Sequence, residues 1–540
     1  MSFFNWLMRN HKQKYKGLTA PESPQQTEQQ DMALSPDLEE TIQYIQSILG
    51  DNDDFVIRKF NVFGQFPAVL FHFSQMVDQT IVNEDILKPF MYKPPQLEDE
   101  KIDLKNLKSI LYGDALYHSE GSMESQFSEM IKGILRGQSV VVVEGLDEAF
   151  VIDTRSIDKR SIDQPATEQV IRGPREGFIE PLGVNLSLLR YRIQSPKLKV
   201  HTMEIGHTTR SKVAICYMDG LTKPELINEV KTRLSKINID AVLDSGYLEQ
   251  FIEDNHLSPF PQIQYTERPD KVAANLLEGR VAIFVDGSPL ALVVPTVFSQ
   301  FYQTVEDYTE RFVLMSAIRL ARLIALIFSL IFPSLYVSII SFNPELIPTE
   351  FAAAVAGGRA GVPFPAIVEV LVIEISMEVL REATIRLPQQ VGGALSIVGV
   401  LVIGQAAVAA GFASPITIVV IALTTIGSFA TPAYNAALGL RLLRFPLIIL
   451  AGIFGLYGVM IGIIFITNHL LSLKSFGVPY LSPLVPGNLQ GMKDLLIRGP
   501  LGWMFERPAF LMPEDKIRAG PNQTGLSTQT KEDVPVSQKK

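Results

Sequence analysis

Two patterns divide the chain. From Asp37 to about Thr296, short runs rich in Val and Ile alternate with polar stretches. The runs Phe55–Phe60, Ala68–Phe73, Ser139–Val143, Ala149–Asp153, Leu198–Ile205, Val213–Met218, Gln262–Tyr265, Val281–Val285 and Ala291–Val294 are bounded by Gly, Asp or Pro and predict strands. Helices are predicted over Pro36–Leu49, Val82–Leu87, Met123–Arg136, Leu182–Arg192, Lys223–Ile237, Ser245–Asp254 and Pro269–Glu278. Strands interleaved with helices make an α/β region. From about residue 320 the pattern changes. Leu387–Leu440 and Phe445–Leu473 contain no Asp, Glu, Lys or Arg. A helix needs roughly 20 apolar residues to cross a bilayer, so these runs suffice for about three spans.

The expected fold class is an α/β cytosolic N-terminal region in two subdomains, plus an α-helical integral membrane domain of about five hydrophobic helices. The expected boundaries are a disordered or amphipathic tail over 1–36, subdomains over 37–153 and 154–300, and a connecting helix over 301–322. A transmembrane domain over 323–473 and a C-terminal tail over 474–540, disordered at its end, complete the chain. The expected spans are Leu323–Phe342, Pro363–Arg386, Val391–Gly411, Pro415–Leu440 and Phe445–Asn468. Arg311, Arg319 and Arg322 precede the first span, which favours a cytosolic N-terminal region. Arg441 and Arg444 then read as a cytosolic turn between the last two spans. Five crossings put the C-terminus outside. The tail nevertheless carries Lys493, Arg498, Arg507, Lys516 and Arg518, which favour the inside, and the two rules disagree.

Composition narrows the function classes. A net charge of −9 over 540 residues argues against a nucleic-acid partner. The lone Cys216 excludes an intrachain disulfide framework. Met1–Gly17 has no continuous apolar run and does not read as a secretory signal. Its Phe3, Phe4, Trp6 and Leu7 suit either a disordered start or a helix lying on a membrane surface. No HExxH, P-loop or GxSxG appears, so no catalytic residue, cofactor or metal site is expected, and no enzyme activity.

Four features could carry function. The second span holds Glu369, Glu374 and Glu378, with Arg381 and Glu382. Charged residues at mid-bilayer cost on the order of 2.5–3.5 kcal/mol and face protein or water. They fit a cation path, a subunit contact, or an interfacial helix with its charges at the headgroups. In the fourth span Thr417, Thr424, Ser428, Thr431 and Asn435 fall on one helical face. That stripe fits a shared pore or helix–helix packing. Ala451, Gly455, Gly458 and Gly462 form a small-residue seam, between subunits or within one bundle. Between the two subdomains, IRGPREGFIE offers Arg172, Arg175 and Glu176 either to another domain or subunit, or to solvent.

The blocks RGPREGFIE, PFPAIVEVLVIEISMEVLREA, LPQQVGGALSIVGVLVIGQAAVAAG, SPITIVVIALTTI and SFGVPYLSPLVP resemble the A subunits of GerA-type spore germinant receptors, over about Phe150–Arg507. The resemblance implies a spore-forming Firmicute and the inner membrane of its dormant spore. It implies a complex with a transporter-like B subunit, as nutrient binder, and a lipoprotein C subunit. It implies a trigger such as an amino acid, sugar or nucleoside, and self-association into a ring that passes monovalent cations. The alternatives are a secondary transporter, a membrane scaffold subunit without its own pore, and a membrane-anchored enzyme. The absence of a visible internal repeat argues against the transporter.

Overall fold

The computed structural model describes residues 32–93, 102–111, 121–156, 164–386, 404–487, 491–501, 504 and 506–518. Met1–Gly17, most of the Val391–Gly411 span and the chain end from 519 lie outside them.

The soluble region holds two five-stranded sheets. The first has strands β1 (Phe55–Val62), β2 (Phe66–Phe73), β3 (Gly121–Glu124), β4 (Ser139–Val143) and β5 (Ala149–Ile152). The second has β6 (Leu198–Ile205), β7 (Ser211–Met218), β8 (Gln264–Thr266), β9 (Val281–Val285) and β10 (Ala291–Val294). Their orders are β1-β2-β4-β5-β3 and β6-β7-β9-β10-β8, one topology used twice, with every pairing antiparallel. Sequence reading missed β3. It merged that strand into the following helix because Met123 continues the apolar spacing of Phe127–Leu135.

Each sheet is covered on both faces. Period-2 alternation sends Val69, Phe71 and Phe73 to helices α1 (Leu38–Leu49) and α2 (Phe127–Leu135). Ala68 and Leu70 go to the opposite side, against Ile86, Phe90 and Leu107. In the second sheet Ala214 and Cys216 meet α3 (Leu182–Arg192) and α6 (Pro269–Leu276). Val213 and Ile215 meet α4 (Pro224–Ser235) and α5 (Ser245–Ile252). Two buried layers explain why β4 and β9 read as continuous apolar runs rather than alternating ones. The sheets are tied by Arg190 on α3. It donates to Asp54 at 2.6 Å and to Asn52 at 2.9 Å, and it lies 3.9 Å from the Phe73 ring centroid.

Among the described residues, five long apolar helices follow. An entry helix covers Phe312–Phe342, an acidic helix Ala366–Ile385, a hydroxyl helix Pro415–Phe429, an arginine helix Tyr434–Phe454 and an exit helix Leu456–Ser472. The entry and arginine helices are long and apolar enough to cross a membrane. The hydroxyl and exit helices are apolar but shorter.

Four expectations are corrected. Phe445–Asn468 is not one span, because the chain turns at Gly455 and divides it between the arginine and exit helices. The connecting helix is not separate from the first span. Apolar periodicity runs unbroken through Arg319 and Arg322 into one 31-residue helix. Pro415–Leu440 is not one span. Pro432 removes a backbone donor and disfavours helix in Thr431, so the chain breaks over 430–433 and restarts at Tyr434. Arg441 and Arg444 are therefore not a turn, but buried residues inside the arginine helix.

This redrawing reconciles the tail. Ala433 donates to the Phe301 carbonyl, placing the start of the arginine helix beside the soluble region. Its other end, at Gly455, packs on Phe342 at the far end of the entry helix. The exit helix then returns, and His469 meets Ser258 at 2.9 Å. Residues 491–501 and 506–518 consequently lie on the soluble region's own side, where Tyr302 donates to the Leu495 carbonyl and Arg507 to that of Leu277.

Candidate functional site

Each carboxylate of the acidic helix has a basic partner, on another element or within the helix itself. The Glu374 carboxylate takes Nη1 of Arg444 at 3.0 and 3.1 Å, both residues being 2% exposed. Glu369 is buried, accepts the Ser414 amide hydrogen and lies 3.6 Å from Arg359. Glu378 pairs with Arg381 at 2.7 Å and lies 3.6 Å from Arg441. All three carboxylates thus have partners within the chain, and Glu378 is the one partly open to the surface. Arg444 and Arg441 were missed as partners. The available signal was that three acids in one apolar helix need counter-ions, and Arg381 alone cannot supply them.

The hydroxyl stripe does not form a single helical face. Thr424 donates to the Val420 carbonyl and Ser428 to that of Thr425, each at 2.7 Å, which satisfies them within their own helix. Thr417 meets Tyr336 of the entry helix at 2.9 Å. Thr431 falls in the 430–433 break, and Asn435 belongs to the next helix. Asn435 is different from the others: its buried Nδ2 has no hydrogen-bond partner among the described residues.

The glycine seam lies within the chain. A Cβ on Gly458 would stand 2.0 Å from the Leu450 carbonyl oxygen, and one on Gly462 2.3 Å from Leu447. Gly455 has φ +62° at the turn between the arginine and exit helices. The seam therefore closes a hairpin of these two helices.

The loop over 171–180 docks on the segment that leads into the entry helix. The Ile171 amide donates to Glu306, and Arg172 pairs with Glu310 at 3.3 Å. Glu176 pairs with Arg192 at 2.7 Å. Arg175 is exposed, with no ion pair among the described residues.

The base of the entry helix carries a second ionic cluster. Asp307 is fully buried and binds Arg319 at 2.9 Å and Arg322 more closely still. Arg319 also reaches Asp494 of the C-terminal segment, at 2.8 Å. Tyr308 donates to the same carboxylate at 2.6 Å, and burial, then Asp494, raise its phenol well above the usual range. Sequence reading treated these arginines only as flanking charge. Beside the cluster, a cleft of about 360 Å³ lies between α6, residues 297–309 and the C-terminal segment, with Glu278 and Arg280 in its wall. Among the described residues, no group of three or more His, Cys, Asp or Glu is placed to hold a metal ion.

Comparison with known proteins sets this geometry in a family. The model of the Bacillus/Clostridium GerA spore germination protein matches residues 43–510. The chain belongs to the GerA family. It is 41% identical to "Spore germination protein KA" of Bacillus subtilis over 501 residues, covering 92% of this chain and 91% of that protein. It is 42% identical to "Uncharacterized membrane protein YfkQ" of the same organism over 480 residues, 89% of this chain and 92% of that one. A crystal structure, the N-terminal domain of the A subunit of the Bacillus megaterium spore germinant receptor GerK3, is 31% identical. It covers 49% of this chain and 98% of its own, with a TM-score of 0.39. The ionic clusters described above thus belong to a chain of the GerA family whose relatives include spore germination proteins.

Proposed function

We propose that this chain is the membrane-embedded A subunit of a nutrient germinant receptor in the inner spore membrane. It works with a transporter-like B subunit and a lipoprotein C subunit. Several copies form a ring whose opening passes monovalent cations, and the soluble region faces the cytosol. The family membership supports the receptor role. One observation carries the coupling: the buried Asp307–Arg319–Arg322 cluster, tied to Asp494, joins the segment leading out of the soluble region, the C-terminal segment and the first long apolar helix. Charges at 0% exposure cannot separate without large cost, so a shift of the soluble region is transmitted to the entry helix.

The test is potassium release from vesicles holding all three subunits when nutrient is added. The reading expects release down the gradient, lost when this chain is omitted. Nutrient uptake coupled to an ion would replace it with a transporter. Nutrient binding without any flux would leave a scaffold, a reading favoured by how many stripe hydroxyls are already satisfied internally.

A further inference from the structure

The charges between the acidic and arginine helices do not balance. Arg381, Arg441 and Arg444 face Glu374 and Glu378, three guanidinium groups against two carboxylates, with one positive charge in excess. Glu374 is taken by Arg444 and Glu378 by Arg381. Arg441 is left over. It is 4% exposed, its nearest carboxylate is the engaged Glu378, and neither its Nε nor its Nη2 has a hydrogen-bond partner among the described residues. The Tyr434 ring, 5.6 Å from its guanidinium carbon, gives only a cation–π contact. The adjoining sequence offers no relief, because Leu387–Leu440 contains no Asp or Glu. Arginine keeps its proton, and a buried unpaired charge is costly. The geometry calls for an anion from outside the chain.

The neighbours fix where that anion sits. Arg381 lies near the end of the acidic helix, 5.1 Å from the ring centroid of Phe429, the last residue of the hydroxyl helix. Arg441 lies two turns into the arginine helix, whose start packs on the soluble region: Gly439 abuts the Pro259 carbonyl. The cluster is therefore near the bundle end that faces the soluble region. In the membrane orientation proposed above, on which this step rests, that is close to the headgroups of the cytosolic leaflet. Glu378 and Arg381 keep 30% and 11% side-chain exposure, so the cluster opens to the bundle surface. A guanidinium fork matches phosphate oxygens in pairs. Basic pockets between membrane helices on the cytoplasmic side take anionic headgroups. We propose that Arg441, with Arg381 beside it, binds the phosphate of an anionic phospholipid headgroup.

The experiment titrates phosphatidylglycerol, phosphatidylcholine or inorganic phosphate into the purified full chain and follows thermal unfolding. Phosphatidylglycerol is expected to stabilise, and the other two are not. Arg441→Gln should weaken the apparent phosphatidylglycerol affinity about fivefold, the contribution of one basic residue near an anionic surface. Should Arg441→Gln fail to fold, Glu378→Gln supplies the opposite sign: removing a competing carboxylate should strengthen the affinity by a similar factor. Arg386→Gln, at an exposed residue paired with Glu382, should change nothing. Equal responses to both lipids overturn the proposal. So does an equal effect of inorganic phosphate, which would make this a free-anion site, or a weakening by Glu378→Gln. Flotation with phosphatidylcholine vesicles tests embedding separately, so loss of headgroup preference in a chain that floats counts against the site alone.

Discussion

Glu374→Gln should destabilise the bundle although it preserves side-chain shape. Glu374 and Arg444 are both 2% exposed and meet through two contacts of 3.0 and 3.1 Å. The amide leaves Arg444 charged, buried and without a counter-ion, since Glu378 is already held by Arg381. Removing one partner of a buried pair costs about 3–5 kcal/mol. For a bundle of this size that corresponds to a fall of roughly 6–20 °C in apparent melting temperature. Replacing both partners by apolar groups, as in Glu374→Leu with Arg444→Met, removes the stranded charge and should cost less than Glu374→Gln alone. The assay is thermal unfolding of the purified full chain in detergent, read by size exclusion after heating. The reasoning is refuted if Glu374→Gln melts within about 2 °C of wild type, or if the double variant loses as much as the two single ones added together.

Asp307→Asn should release the C-terminal segment by stranding Arg319 and Arg322, seen as faster proteolysis between Asp494 and Arg518; an unchanged digestion pattern counts against the joint. Glu249 is pushed up to about 7 by burial and by Glu253 and Asp244. Its unfolded value is lower, so its contribution to stability is lost as pH rises from about 4.5 through about 7. His72, lowered to about 4 by burial and Arg58, acts oppositely, its contribution being lost as pH falls from about 6.5 through about 4. The readout is therefore the melting difference between wild type and Glu249→Gln, which should favour the variant increasingly from pH 5 to pH 8; a difference independent of pH removes the assignment. Cys216 is fully buried, and burial raises its thiol far above the usual range, so an impermeant maleimide should leave the native chain unmodified on either side of a membrane. Side-specific labelling therefore needs an exposed position such as Ser235→Cys, and rapid native labelling of Cys216 would contradict the packing around β7.

The sequence by itself determined the local elements. Short Val- and Ile-rich runs between turn residues were enough for nine of the ten strands of the two five-stranded sheets, because period and turn chemistry are local properties. Charge-free stretches were enough to mark where apolar helices lie, because hydropathy needs no partner, but not where they begin and end. Tertiary structure alone decided what those helices do with their polar groups. Arg441 and Arg444 looked like the end of a span, since positive residues usually sit outside one. Only packing against the acidic helix shows why they are inside, where Glu374 and Glu378 supply most of the counter-charge. The stripe from Thr417 to Asn435 was periodic on paper, yet Pro432 breaks the helix that would have aligned it. Asp307 and Asp494, 187 residues apart in the chain, share Arg319 only because the exit helix brings the tail back to the soluble region. Ion pairs of that separation leave no local pattern, since each partner alone resembles an ordinary solvated charge.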